Sequence, residues 1–461
     1  MKKTVGVIIP VYNGEKYIKE CIESALDQTC SFDAIVIVDD GSTDGSLEIC
    51  QQYNGNDGII VIHQNNTGAA AARNRGMDLI KTDYVLFLDA DDMLSNDACS
   101  CIKKYVNKEE LDILFYASSI IKSDNVNIKI SKQGYERPKQ LCGETMDGFT
   151  SFKMQFPNNY IVSVCMGAYK VSFLRQYAIE FEVGNIYEDR WFFLKSLTDA
   201  RTVKYIRNSL YIRRFVSNST STSGPSKKKM EDAFRSHTKE LKFIQENPKW
   251  IKEVEFQRYY IIVMMEMFFS QYTNLKREKE LNKQYIDYFW NEIKKYIDYD
   301  TMNINELCIL LRILQQNREY LETSKEQNQL KVLLESRFKE KLSKAFAPEE
   351  KIILYGLGKH TDCLKKFIQY FGIYDISKLL YMVSKKDLSM GVNVIEVDEL
   401  NNVGIDKIIL SSKIYQEEMY EELLKRNVPE KKIYKLYGAN DSVDAVIIYD
   451  ALWEKKNESC R

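Results

Sequence analysis

Histidine is nearly missing from this chain, with 3 in 461 residues, and the ten cysteines are scattered. Zinc sites need paired Cys or His ligands, and the only close pair, Cys99 and Cys101, lacks the spacing of a metal knuckle. The thiols read as reduced and mostly buried, as in a cytosolic protein. Proline is rare at 7 and glycine stands at 20, which excludes low-complexity and collagen-like chains. Charge of either sign is not in excess: 65 basic residues face 66 acidic ones. Bulk attraction to nucleic acid is therefore excluded, and no nucleic-acid partner is expected. No apolar run reaches the roughly 20 residues that cross a bilayer. The most apolar stretch, 259–269, is short and carries Glu266, so core packing or a contact within a homo-oligomer is expected there. The amino terminus begins Met1-Lys2-Lys3 like a signal peptide, but Pro10 and the Asn13-Gly14 turn cut its apolar run too short.

What is present is 44% apolar residues, enough for sizeable cores in two or three domains. Apolar runs at 5–11, 34–38, 59–62 and 84–88 alternate with helical patterns at 15–28, after 42 and at 68–80. Runs apolar on both faces predict buried strands, and the alternation predicts a parallel sheet with helices on both faces. In such sheets ligands bind beyond the carboxyl ends of the strands. Three polar clusters fall there: Pro10-Val11-Tyr12-Asn13, Asp39-Asp40-Gly41-Ser42 and Asp89-Ala90-Asp91-Asp92. Further on, strands are expected at 111–116, within 160–169 and at 203–211, with a helix opened by Tyr187-Glu188-Asp189-Arg190. Residues 117–150 lack a clear period. Arg213-Arg214, a Ser/Thr/Asn-rich run at 217–223 and the linker signal Gly224-Pro225-Ser226 follow.

Asp89 and Asp91 stand two apart, so in an extended chain their carboxylates share a side. Two hard oxygen ligands suit Mg²⁺ or Mn²⁺ and leave room for water and phosphate oxygens. Taken alone, the motif reads equally as a solvated loop in which Asp92 and Ser95 cap a helix. Asp40 can accept a hydrogen bond from a nucleobase N–H or simply cap a helix. Thr67 is the expected cap of the helix 68–80, whose four alanines allow close packing and which places Arg73 and Gly76 one turn apart.

Together, Ile9 to Asn13, Val38 to Asp44, Asn66 to Gly76, Leu88 to Asp92 and Glu188-Asp189 resemble a family 2 glycosyltransferase of the GT-A fold, over residues 4–215. The resemblance implies a nucleotide-diphospho-sugar transferase fold. Pro10, Val11, Tyr12 and Asp40 would bind base and ribose, with Gly68 and Arg73 helping to hold the nucleotide. Asp89 and Asp91 would form the Asp-X-Asp motif at the divalent cation, Asp91 making the direct contact. Asp189 would be the catalytic base, and Arg213 or Arg214, the latter preferred, would lie near the diphosphate. The implied reaction is metal-assisted inverting transfer from a nucleotide-sugar, expected to be a UDP-sugar. The acceptor would be a hydroxyl of a surface polysaccharide or a lipid-linked glycan. The expected place is the cytoplasm, peripherally at the inner face of the plasma membrane where the acceptor is lipid-linked. The alternatives are a nucleotide-binding pseudoenzyme serving as an assembly platform, and a polyprenyl-phosphate sugar synthase.

The expected division is 1–225 for the GT-A domain, 226–346 for a helical segment, 347–440 for a Rossmann-like accessory domain and 441–461 for an appendage. In the accessory domain Gly356-Leu357-Gly358 lacks the third glycine of a dinucleotide fingerprint, and Asp387 is a poor ribose-binding acid. A tight strand–helix turn explains those glycines better than an oxidoreductase does.

Overall fold

The computed structural model describes residues 2–122, 134–156, 160–215, 224–272, 279–317, 324–356, 358–384, 393–412, 415–437 and 445–452. The Ser/Thr/Asn-rich run 217–223 and Asp387 lie outside the described residues. The chain divides into two compact units, 1–257 and 258–461.

The first unit opens with β1 (Val5–Val11), α1 (Ile18–Leu26), β2 (Ala34–Asp39), α2 (Ser46–Gln51), β3 (Ile59–His63), α3 (Ala69–Leu79) and β4 (Tyr84–Phe87). It continues with β5 (Met93–Leu94), α4 (Ala98–Lys108), β6 (Ile113–Lys122), β7 (Thr145–Met146), α5 (Gly148–Gln155), β8 (Gly167–Lys170) and α6 (Val171–Gln176). Then come α7 (Glu188–Asp199), β9 (Val203–Phe215), α8 (Lys227–Glu246) and α9 (Pro248–Lys252), while α10 (Val254–Tyr272) runs across the division. Among the described residues the strands build one sheet in the order β3-β2-β1-β4-β8-β6-β9-β5, with β7 on β9. β1 to β4 run parallel, with Val11 opposite Asp39 and Asp39 opposite His63, so their polar ends share one edge. β8 is antiparallel to both β4 and β6. The regular strand–helix alternation ends at β4, but β6 and β9 also pair in parallel, with α5, α6 and α7 lying between them in the chain.

Packing places two elements that matter for the site. β4 is wholly buried, and its Phe87 meets Phe181 and Phe192 edge-on at 5.0 and 5.8 Å. Phe181 stacks on Phe192 at 4.3 Å, and Phe192 belongs to α7. This aromatic cluster fastens the first turn of α7 beside the carboxyl end of β4. α3 lies so close on β1 that a Cβ at Gly76 would come 2.5 Å from the Ile8 side chain. The segment 224–226 opens a helix, since Ser226 caps α8 by accepting from the Lys229 N–H. α8 then packs back on α7, with Arg190 forked onto Glu240 at 2.9 and 2.8 Å. Helices α8 and α9 therefore belong to the first unit.

The second unit holds α11 (Lys279–Lys294), α12 (Ile304–Gln316), α13 (Ser324–Ala345), β10 (Ile352–Tyr355), α14 (Lys359–Phe371) and β11 (Leu380–Val383). β12 (Val394–Glu396), β13 (Lys407–Leu410), α15 (Gln416–Lys425), β14 (Ile433–Lys435) and α16 (Ala445–Leu452) complete it. Its described strands form a parallel sheet, β12-β11-β10-β13-β14. α16 packs on α14 through Tyr449 and Phe367, 5.8 Å apart. No helix among the described residues is long and apolar enough to cross a membrane.

The α3–β1 contact sets a first expectation. Gly76→Ala should cost the first unit about 1–3 kcal/mol through overpacking against Ile8. Urea unfolding checks this, and an unchanged midpoint would show that the contact is slack.

Candidate active site

After β4 the chain turns, with the Asp92 N–H donating to the Asp89 carbonyl at 3.0 Å. Residues 89–91 therefore form a turn, and the extended run assumed from their spacing is not found. The cause is Asp92, which is drawn across to β9. Its carboxylate accepts from the Tyr211 hydroxyl at 2.5 Å and from the Arg214 backbone N–H at 2.6 Å. Asp89 and Asp91 nevertheless line one cavity of about 420 Å³, with Asp189, Arg213 and Arg214 also on its wall. The crowding of acids is visible in their protonation. Burial first, then the Asp89 charge, pushes Asp91 up to about 6. Burial, Asp89 and Asp91 push Asp92 up to about 7.

Arg73 stands behind the acids, 5% exposed, on α3. One guanidinium nitrogen donates to Asp89 at 2.8 Å and the other to Glu188 at 2.7 Å, with Asp189 at 3.8 Å. Phe181 lies under the guanidinium at 5.3 Å. Burial opposes its charge, but the surrounding carboxylates more than offset this and hold Arg73 protonated. Asp189 and Glu188 sit in the first turn of α7, where the helix dipole favours anions. Even so, burial, helped by Glu188 and Asp89 and opposed by Arg73, lifts Asp189 to about 7. Its Oδ1 is buried and has no hydrogen-bond partner among the described residues.

The other expected residues lie along the same sheet edge. Pro10 and Val11 are buried in β1, and the Val11 carbonyl accepts from the Asp40 N–H at 2.8 Å. Tyr12 alone of the three is open, at 53%. Asp40 is enclosed and braces the loop before α3. It accepts from the Thr67 N–H at 2.9 Å, the Gly68 N–H at 2.7 Å and the Gln64 side chain at 2.8 Å. Gly68, at φ 95°, is the N-cap of α3, so the expected capping by Thr67 is not found. Asp40 instead accepts from the Thr67 and Gly68 N–H groups just ahead of the helix. At the β9 end, the Arg214 guanidinium is held by Glu20 and by the Asp91 carbonyl, 3.0 Å from its Nε. Arg213 lies over the ring of Tyr135 at 5.4 Å and acts electrostatically on Asp91.

Among the described residues no cluster of three or more His, Cys, Asp or Glu side chains is arranged to hold a metal unaided. The acids present fit a cation that brings other ligands with it. Asp91 lines the cavity with no side chain of the described residues donating to it, and Asp89 keeps the oxygen that Arg73 does not take. Mg²⁺ and Mn²⁺ ordinarily complete such two-carboxylate sites with water and phosphate oxygens. Sequence reasoning did not single out the tether of Tyr211 to Asp92, the hold of Glu188 on Arg73, or the Tyr135 and Tyr160 rings on the cavity wall. The first two depend on partners more than a hundred positions away, Tyr135 lies in the stretch 117–150, which carries no period, and Tyr160 is placed by packing on Phe152, Phe156 and Phe193.

A half-parallel sheet with an acid-lined cavity at the end of its fourth strand is the GT-A form of a nucleotide-diphospho-sugar transferase. The model of glycosyl transferase family 2 matches residues 6–178. EpsH of Bacillus subtilis, a protein assigned to the glycosyltransferases, is 30% identical over 257 residues, which are 53% of this chain and 70% of EpsH. The glycosyltransferase GlyA of Streptococcus pneumoniae is 30% identical over 235 residues, 47% of this chain and 31% of GlyA. Residues 1–349 of S. aureus TarS, solved with UDP-GlcNAc, share the fold at a TM-score of 0.53 and 20% identity, over 70% of this chain and 92% of that one. The chain belongs to glycosyl transferase family 2. Asp189 and Arg214 lie beyond the segment that the family model matches.

Removing Arg73 would leave its carboxylates facing one another. Arg73→Met should cost about 3 kcal/mol at pH 8, the low end for a broken buried pair because Asp89 and Asp189 keep some solvent. Asp189, raised to about 7, repels its neighbours only when ionised, so the loss should shrink as pH falls through that value and it protonates. Urea unfolding at pH 8 and pH 5.5 measures this, and an equal loss at both would mean Arg73 acts by packing alone.

Proposed function

We propose that the first unit transfers a sugar from a nucleoside diphosphate sugar to a hydroxyl of a surface glycan, inverting the anomeric centre. The observation that carries this reading is Asp189. It is a half-buried carboxyl whose Oδ1 makes no hydrogen bond among the described residues, raised to about 7, on the same cavity wall as Asp89 and Asp91. A general base works best when its pKa lies near the operating pH. Ionised Asp189 takes the proton of the acceptor hydroxyl. The acceptor oxygen bonds to the anomeric carbon, and the bond to the diphosphate breaks on the opposite face. A divalent cation at Asp89 and Asp91 would stabilise the charge on the departing diphosphate. Arg213 and Arg214, both on the cavity wall and both acting electrostatically on Asp91, would add to this, Arg214 also bracing the acidic turn. Tyr12 supplies an exposed ring for the nucleoside, and Asp40 shapes the neighbouring loop through Gly68 and Thr67. Pro10 and Val11 act through the backbone they position.

UDP-sugars head the donor panel, because TarS was solved with UDP-GlcNAc. The acceptor we favour is a polysaccharide or lipid-linked glycan met at the cytoplasmic face of the membrane. The second unit would be an accessory module carrying no step of the transfer. A panel of nucleotide-sugars scored for hydrolysis or transfer tests the reading. Stabilisation by NAD(H), with none by UDP and Mn²⁺, would sink it.

Two outcomes follow from the division of roles. Asp91→Ala should lose the thermal stabilisation given by UDP with Mn²⁺, and an undiminished shift would remove Asp91 from the cation site. Asp189→Asn should bind UDP and Mn²⁺ normally yet lose transfer by roughly 10²–10⁴-fold. In the unaltered enzyme Asp189 is protonated below its raised pKa, so kcat/KM should fall as pH drops through about 7. A profile flat from pH 8 to pH 5 would assign the base elsewhere.

A further inference from the structure

Arg137 is a buried cation that the proposed chemistry leaves unused. It is 1% exposed, with its guanidinium 4.0 Å from the ring of Phe115 and 5.2 Å from that of Phe193. No carboxylate among the described residues pairs with it. Nη1 donates to the Gln155 side-chain oxygen at 2.7 Å and to the Ile161 carbonyl at 3.1 Å, while Nε and Nη2 find no partner among the described residues. Burial lowers its pKa only to about 10, so it stays charged at neutral pH. An apolar side chain would fill this place at lower cost. What it could not do is hold the Ile161 carbonyl.

That bond matters because residues 160–163 form one wall of the cavity. The next residue, Val164, lies close enough to Asp189 for its backbone N–H to act on that carboxyl, and Asp189 lines the same cavity as 160–163. The anchor is itself fixed to the sheet, since the Arg137 N–H donates to the Tyr205 hydroxyl of β9 at 3.2 Å. A path of hydrogen bonds therefore runs from β9 through Arg137 to Ile161, on the cavity wall that Asp189 shares. Donor-side residues are absent from it: Arg137 touches neither the acidic turn nor the edge of β1 and β2.

We propose that Arg137 is a positioning residue that fixes the 160–164 wall and so sets the acceptor half of the cavity and the aim of Asp189. The word acceptor rests on the transferase reading, but the anchoring does not. The test compares Arg137→Met and Arg137→Lys with the unaltered full chain. Amide hydrogen exchange of 160–166 should quicken roughly tenfold or more in the Met variant while β1 and β4 stay protected. Affinity for UDP with Mn²⁺ should stay within about twofold, while turnover with the active nucleotide-sugar falls roughly tenfold, the Lys variant lying between. Unchanged exchange at 160–166 would overturn the proposal. So would exchange that quickens across the whole unit, or donor affinity lost in step with turnover, since either marks general stabilisation. If the Met variant does not fold, Arg137→Lys decides alone, because it keeps the charge on a shorter, flexible stem in place of the rigid planar group whose Nη1 makes both bonds. If the unaltered chain fails to bind UDP with Mn²⁺, the transferase reading falls, and the exchange data still judge the anchor.

Discussion

A single guanidinium holds the two ends of the site together. Arg73 reaches Asp89 on the turn after β4 and Glu188 on α7, with Asp189 just beyond hydrogen-bond distance. Burying that charge is costly, and three carboxylates are what make it tolerable. The same carboxylates could not converge without it. The arrangement depends on parts far apart in the chain. α3 must lie close on β1, which Gly76 permits, and α7 must meet β4, which Phe87, Phe181 and Phe192 ensure. Asp91 and Asp92 add further carboxyls that Arg73 does not reach, and burial first, then the neighbouring acids, raises their pKa values. A cavity left negative in this way is suited to a divalent cation arriving with a diphosphate.

The polar edge of the sheet divides into residues that touch the cavity and residues that shape its surroundings. Asp89, Asp91 and Asp189 belong to the first group. Asp40 is enclosed by the loop it organises, and Asp92 ties the acidic turn to β9. Acidic residues that look alike in the chain thus differ in exposure and in partners. We read this as one pair of acids for the leaving group, one for the acceptor, and two for support.

Much of the first unit was legible from the chain because its signals are local. Runs such as Val5–Val11 and Tyr84–Phe87 are apolar on both faces, and the polar residues after them mark the carboxyl edge whatever the remote contacts. What could not be read depends on distant partners. The turn at 89–91 exists because Asp92 finds Tyr211, and nothing in Asp89-Ala90-Asp91 signals that bond. Arg73 could be singled out as unusual on its helix, but not its grip on Glu188. Arg137 lies in the stretch 117–150, where no period exists to read, because its place is set by Phe115, Gln155 and Ile161 rather than by neighbours in the chain. The linker signal at 224–226 was a helix cap, since Gly, Pro and Ser serve both uses and only packing on α7 tells them apart.

The central claim is that Asp189 deprotonates the acceptor while the acids of the β4 turn serve the departing diphosphate. The anomeric configuration of the first-formed product tests it most directly. It can be read by proton NMR during turnover of a nucleotide-sugar of known anomer. Inversion is the outcome this division of roles requires, because attack and departure occur on opposite faces of one carbon. A product that keeps the donor's configuration would contradict a single displacement driven from Asp189.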